Sequence, residues 1–275
     1  MPIPLKPGET IYVERKIKPS DYAMPSMEAS YDHYSVGLQI SGDRKFFSYE
    51  NIQVAHAGNV GIGKPNIFHQ NLPLSDEPYD RYLIKFKYDA IQPAVTLIGD
   101  ANFDKICMHY LSFTPENLSR IQQQFEEMLQ EYQKKSEYSQ FILQGMLQRL
   151  VLTIYQQHLP FDDTILEYKN YDARIHDAMI YLEENLEHAP SIEDVALYVS
   201  LSVSHFSRLF KDVVGCSFTD YVTSIRLQHA QILLAKPELS IGEIATKVGF
   251  SNGNYLCNVF KRNLGCSPSE FRRQL

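Results

Sequence analysis

A chain of 275 residues, 44% apolar and 12% aromatic, has the make-up of an ordinary globular protein with room for two domains. Its formal net charge of −7 argues against a uniformly basic nucleic-acid binder, and no apolar run nears the ~20 residues of a membrane helix. The start Met1-Pro2-Ile3-Pro4-Leu5-Lys6-Pro7 has no basic-then-apolar signal design, and Cys107, Cys216, Cys257 and Cys266 show neither a CxxC pair nor metal-ligand spacing, so reduced thiols in a cytoplasmic setting are expected.

Residues 1–30 are Pro-rich and irregular, an arm with short strands. From Tyr31 to Tyr110 the pattern is strand-like. Tyr34, Val36, Leu38 and Ile40 alternate with Ser35, Gly37 and Gln39, and Ser41-Gly42-Asp43-Arg44 punctuates before Lys45-Phe46-Phe47-Ser48-Tyr49. Further strands are predicted at 51–55, 59–62, 66–69, 81–87 and 105–110, which together suggest an antiparallel sandwich or barrel over about 10–110.

Two helices follow, within about 115–158. Pro115 opens the first, where Leu118, Ile121, Phe125, Met128 and Tyr132 step by three and four to form a narrow apolar seam. That seam either packs on its own domain or joins two copies as a dimer. The second helix, about 139–158, is more apolar. Residues 161–172 lack periodicity and are the expected linker between an N-terminal domain, 1–160, and a C-terminal domain, 173–275.

The C-terminal domain repeats itself. Ser191-Ile192-Glu193-Asp194-Val195-Ala196 matches Ser240-Ile241-Gly242-Glu243-Ile244-Ala245 at an offset of 49, and Phe210-Lys211 with Gly215-Cys216-Ser217 matches Phe260-Lys261 with Gly265-Cys266-Ser267 at an offset of 50. Each copy reads as helix, tight turn, second helix, over 192–214 and 241–264, with Gly249 in the second turn. Ala196 and Ala245 precede the turns at the same distance and let the helices cross closely. Ser217 caps a long connecting helix, about 218–235, that spaces the units.

In the first copy, Phe206, Leu209, Phe210 and Val213 form a core face. Ser204, Ser207, Arg208 and Lys211 fall on the opposite face, small, hydroxylated and basic, as the major groove requires. In the second copy, Leu256, Val259, Phe260 and Leu264 are inward, and Asn254, Cys257, Asn258 and Lys261 outward. Ser202, His205, Asn252, Gly253 and Arg262 complete the candidate contact set. Basic charge concentrates here: residues 200–275 hold 9 Lys/Arg against 5 Asp/Glu, whereas residues 1–172 hold 16 against 22. Two such units imply double-stranded DNA as partner.

These residues resemble the DNA-binding domain of the AraC/XylS family of transcription regulators. The likeness is closest over Ile241 to Arg272, in the Ile-Ala-x-x-Val-Gly-Phe turn, then Tyr255, Phe260-Lys261, Gly265 and Ser267-Pro268-Ser269-Glu270-Phe271-Arg272. It implies a multidomain α+β protein: an N-terminal antiparallel cupin-like β-barrel with two helices, then an all-α domain of two helix-turn-helix units joined by a long helix. Residues Ala57 to His69 are similar to that barrel's Gly-to-Pro-to-His segment. The resemblance places base contacts at Ser204, Ser207 and Arg208, and at Gly253, Asn254 and Asn258. Family members often carry Arg or Gln where this chain has Gly253 and Asn258, so the second unit is expected to read bases less directly.

The implied function is a cytoplasmic, homodimeric, sequence-specific regulator responsive to a small molecule, an activator in contact with RNA polymerase, with no membrane and no cofactor. Tyr31, His33, His69 and Tyr82 could line a pocket for a sugar or could be ordinary barrel surface. Two alternatives stand beside it. A metal-dependent cupin enzyme would need His33, His56, His69 or His109 to converge with a carboxylate, and no His-x-His pair with a following Glu is present. A regulator without small ligand would be controlled by a protein partner.

Overall fold

Alternation at Tyr34 to Ile40 does produce a strand, β2 (Tyr34–Ser41), and its neighbours follow the same period of two. The computed structural model describes residues 5, 9–24, 33–48, 52–65, 67, 69–107, 109–160 and 173–273, in two compact units within residues 2–168 and 169–275. The expected linker at 161–172 lies outside the described residues.

In the first unit, β1 (Ile11–Lys18), β3 (Arg44–Ser48), β4 (Ile52–Ala55), β5 (Val60–Gly63), β6 (His69–Pro73), β7 (Tyr79–Phe86) and β8 (Tyr110–Leu111) join β2 in two antiparallel sheets. The larger runs β1-β7-β2-β5-β8 and the smaller β4-β3-β6. Neither closes, so the expected barrel is two open sheets among the described residues. Part of the reason lies at 92–107. The strand predicted at 105–110 gives way to helix α1 (Gln92–Ile98) and helix α2 (Asp100–Cys107), leaving only the two-residue β8 at that edge. Pro93 stands in the first turn of α1, and Gly99, at φ 85°, ends it. Ala94, Val95 and Ile98 of α1 and Phe103 and Ile106 of α2 are buried, steps of three and four within each helix that face a core.

One face of the larger sheet is apolar. Ile11, Val13, Val36, Leu38, Val60, Ile62, Tyr82, Ile84 and Phe86 share one cluster with α3 (Pro115–Lys134) and α4 (Ser139–Gln157). Pro115 and the Thr114 cap, accepting from the Asn117 N–H, start α3 as expected. The candidate dimer seam is consumed here: Ile121, Phe125 and Met128 are fully buried in their own unit, with Leu118 and Tyr132 packed against the same cluster. A stripe stepping by three and four fits the neighbouring helix and sheet as well as it fits a second chain, and its own unit fills it.

In the second unit, α5 (Ala173–Glu184), α6 (Ile192–Tyr198), α7 (Val203–Val214), α8 (Phe218–Leu234), α9 (Ile241–Lys247), α10 (Gly253–Leu264) and α11 (Pro268–Arg272) are all helical. The long helix α8 serves both repeats. Its first half sets Phe218 and Tyr221 against Phe206 and Phe210 of α7, ring centroids 5.3–5.7 Å apart. Its second half sets Leu227, Ala230 and Leu234 into a cluster with Ile244, Ala245, Val248, Phe250, Leu256 and Phe260. Arg272 of α11 donates to the carbonyls of Leu234 (3.1 Å) and Leu239 (2.7 Å), satisfying backbone acceptors at and beyond the end of α8.

Candidate nucleic-acid interface

The two turns are built from the same hydrogen bonds. After α6, the Ser200 N–H donates to the Leu197 carbonyl (3.0 Å) and the Leu201 N–H to the Ala196 carbonyl (2.8 Å). After α9, the Gly249 N–H donates to Thr246 (3.0 Å) and the Phe250 N–H to Ala245 (2.8 Å). Both are Schellman ends, which need one left-handed residue: Ser200 at φ 57° and Gly249 at φ 78°. Ala196 and Ala245, buried at 1% and 0% exposure, therefore do two jobs, accepting the closing bond and permitting close helix crossing.

Gly249 is required twice over. A Cβ there would stand 2.3 Å from the Leu186 carbonyl oxygen and 3.2 Å from Arg226 Nε, so neither space nor φ admits a side chain.

Each first helix begins with a capping box, Ser191 with Asp194 and Ser240 with Glu243, and α11 has a third, Ser267 with Glu270. Hydrogen bonds from the serine hydroxyl or backbone hold all three carboxylates below their usual range. Ser217 caps α8 by accepting from the Asp220 N–H at 3.2 Å.

The second helices begin at Ser202, which accepts from the His205 N–H (3.4 Å), and at Asn252, which accepts from the Tyr255 N–H (2.8 Å). Those caps pair at an offset of 50 while Ser200 and Gly249 pair at 49. The extra residue of the second copy is therefore Ser251. From the caps onward Ser204 matches Asn254, His205 matches Tyr255, Ser207 matches Cys257, Arg208 matches Asn258, and Lys211 matches Lys261.

Along α7, Ser204, His205, Ser207, Arg208 and Lys211 are exposed while Phe206, Phe210 and Val213 are buried. Along α10, Asn254, Asn258, Lys261 and Arg262 are exposed, as is the cap Asn252. Leu209, Val259 and Leu264, expected in the core, are half-buried at its margin. Cys257, expected outward, is half-buried as well. A Cβ on Gly253 would lie 3.4 Å from the Gly242 Cα, an ordinary contact, so α10 packs beside α9 here without requiring a glycine. Tyr255, 53% exposed and edge-on to Phe250 at 5.8 Å, stands where the first copy has His205; the fifty-residue offset alone would have nominated it.

Of the candidate effector residues of the first unit, Tyr82 and His69 are not brought together. Tyr82 faces the helices, is buried, and its hydroxyl donates to the Glu126 carboxylate of α3. His69 is on the smaller sheet, stacked on Phe46 at 4.8 Å, with its Nδ1 3.2 Å from the Ile67 carbonyl. His33 is buried before β2, and Tyr31 lies outside the described residues. The alternation of β7 explains the split, since Tyr82 points away from the sheet-to-sheet side that Tyr79 and Arg81 share. Among the described residues, no three His, Cys, Asp or Glu side chains gather as metal ligands would. No helix among them is long and apolar enough to cross a membrane.

Residues 195–274 match a family model described as a helix-turn-helix domain. Regulatory protein PocR of Salmonella typhimurium is 35% identical over 105 residues, 38% of this chain and 35% of that protein. The arabinose operon regulatory protein of the same species is 30% identical over 149 residues, 54% of this chain and 51% of its own length. Among solved structures, the C-terminal domain of AraT, a response regulator from Geobacillus stearothermophilus, is 32% identical, covering 38% of this chain and 88% of that one with a TM-score of 0.37. These matches span about a third to a half of the curated relatives.

Proposed function

Since the chain belongs, through residues 195–274, to the AraC/XylS family of transcription regulators, we propose that it binds double-stranded DNA sequence-specifically and regulates transcription. The observation that carries this reading is the pair of equivalent exposed faces. Ser204, Arg208 and Lys211 on one helix correspond to Asn254, Asn258 and Lys261 on the other, with Ser207 exposed only on the first and Arg262 added on the second, each helix fixed by a Schellman turn before it and a side-chain cap at its start. Arg suits bidentate contact with guanine, Asn suits adenine, and Lys suits phosphate. Helices spaced by the continuous α8 would enter successive major grooves about 34 Å apart.

The first unit is read as a cupin-like effector domain, here formed by two facing open sheets, that regulates the second as a homodimer and, in an activator, recruits RNA polymerase. Support for dimerisation moves from the buried seam to the start of α4, where Tyr138, Phe141 and Ile142 are 64%, 82% and 42% exposed and a second copy would cover them.

Selection of bound duplexes from a random pool tests the reading. The expected result is an enriched motif with two blocks about 10 base pairs apart. Enrichment of no sequence would overturn it.

A further inference from the structure

The face of the larger sheet turned away from the helices has a different character from the apolar one. It carries Tyr12, Glu14, Ser35, Gly37, Gln39, Gly61, Gly63, Tyr79, Arg81, Leu83 and Lys85, and among the described side chains none of the smaller sheet joins the apolar cluster. Into this layer β3 sends Arg44, only 1% exposed. Its Nη2 donates to the carbonyls of Tyr22 (2.5 Å) and Asn71 (3.2 Å), and its Cζ lies 4.5 Å from the Tyr79 ring centroid. Arg81 approaches the same ring at 5.4 Å. The Nε of each arginine is hidden from solvent without a hydrogen-bond partner.

Two guanidinium groups thus crowd one tyrosine ring, and among the described residues no carboxylate pairs with either. The nearby acids have other partners. Asp80 points to the other face, held by Arg15 at 2.7 and 3.1 Å, Glu14, on the same face as Arg81, accepts from the Tyr12 hydroxyl at 3.0 Å, and Asp43 lies 2.8 Å from His56 Nδ1. Burial holds the Arg44 guanidinium below the usual arginine range, with the Arg81 charge adding to the effect. A buried charge without a counter-charge is costly, and a removable anion relieves the cost. Aromatic groups border the place: Tyr110 fills the space left by Gly61, where a Cβ would be 2.6 Å from its ring, and Phe46 packs edge-on to Tyr110 at 5.8 Å.

We propose that the layer between the two sheets binds a small organic anion, a carboxylate or phosphate ester, through Arg44 and Arg81 beside Tyr79. This rests on reading the first unit as an effector domain and changes the expected ligand class from a neutral sugar to an acid. Arginine forks match such groups bidentately, and the surrounding rings suit the remainder of a compact molecule.

Thermal unfolding of the full chain tests the proposal, with ionic strength held by sodium chloride and with inorganic phosphate, acetate, benzoate, citrate and glucose as probes. At least one anion should raise Tm by roughly 5 °C at a hundredfold excess over its Kd, with glucose inert. Arg44→Met should abolish that shift, measured against the variant's own Tm in chloride, and Arg81→Met, at a half-buried position, should weaken it. Equal shifts in wild type and both variants, a response to glucose alone, or no response beyond chloride would overturn the assignment. Duplex binding by the same samples separates this failure from failure of the DNA-binding reading.

Discussion

Arg208 and Asn258 occupy equivalent places on two helices with similar caps, equal length and matching buried faces. Backbone position is thereby held nearly constant and the side chain alone differs. A guanidinium can hold both acceptors of a guanine and reach further than an Asn amide, so the first unit should carry more specificity. In competition binding, Arg208→Ala is expected to cost about 1–3 kcal/mol and to relax preference at one base pair. Asn258→Ala should cost less; equal losses would refute the asymmetry. The sequence made these positions legible because period 3.6 separates them from Phe206, Phe210, Leu256 and Phe260. It did not reveal that Gly253 meets Gly242, since that contact depends on how closely α9 and α10 approach. Nor did it place Tyr82, whose face follows from the register of β7.

Within the repeat, the turn is the element whose two copies differ most. Each must place one residue in the left-handed region, and only the second uses glycine there. Ser200 at φ 57° carries strain of about 1–2 kcal/mol, part of which glycine would return as unfolded-chain entropy of about 0.5–1 kcal/mol. Ser200→Gly should therefore stabilise the second unit by about 0.5–1 kcal/mol in denaturant unfolding. Gly249→Ala meets both the φ penalty and the Leu186 carbonyl, and should destabilise by about 2–4 kcal/mol. If the two substitutions shift the midpoint in the same direction, the turns are not equivalent. Helices with caps and strong periodicity, such as α7 and α10, were plain from the chain. The short α1 and α2 were not, because an apolar run around Ile91 to Ile98 and Ile106 to Cys107 reads as strand or helix until Gly99 is seen to break two helices apart.

At the scale of the whole chain, electrostatics must reconcile a net charge of −7 with a polyanionic partner. The excess of acids lies in residues 1–199, so attraction has to be local, on the faces of α7 and α10, where Arg208, Lys211, Lys261 and Arg262 are all exposed. A local patch makes few phosphate contacts, and each neutralised phosphate contributes about −0.9 to the slope of log K against log salt. Lys261 lies three residues beyond Asn258 on α10, farther from the helix N-terminus that meets base edges in this docking geometry. Lys261→Gln should therefore weaken binding by a similar factor for selected and unrelated duplexes, and make the salt slope shallower by about one. Asn258→Ala, which removes no charge, should leave the slope unchanged while altering the ratio between the two duplexes. Titrations at four or five salt concentrations separate these outcomes. A change of sequence preference in Lys261→Gln, with the slope intact, would mean that Lys261 reads a base and that the cationic footprint lies elsewhere on the chain.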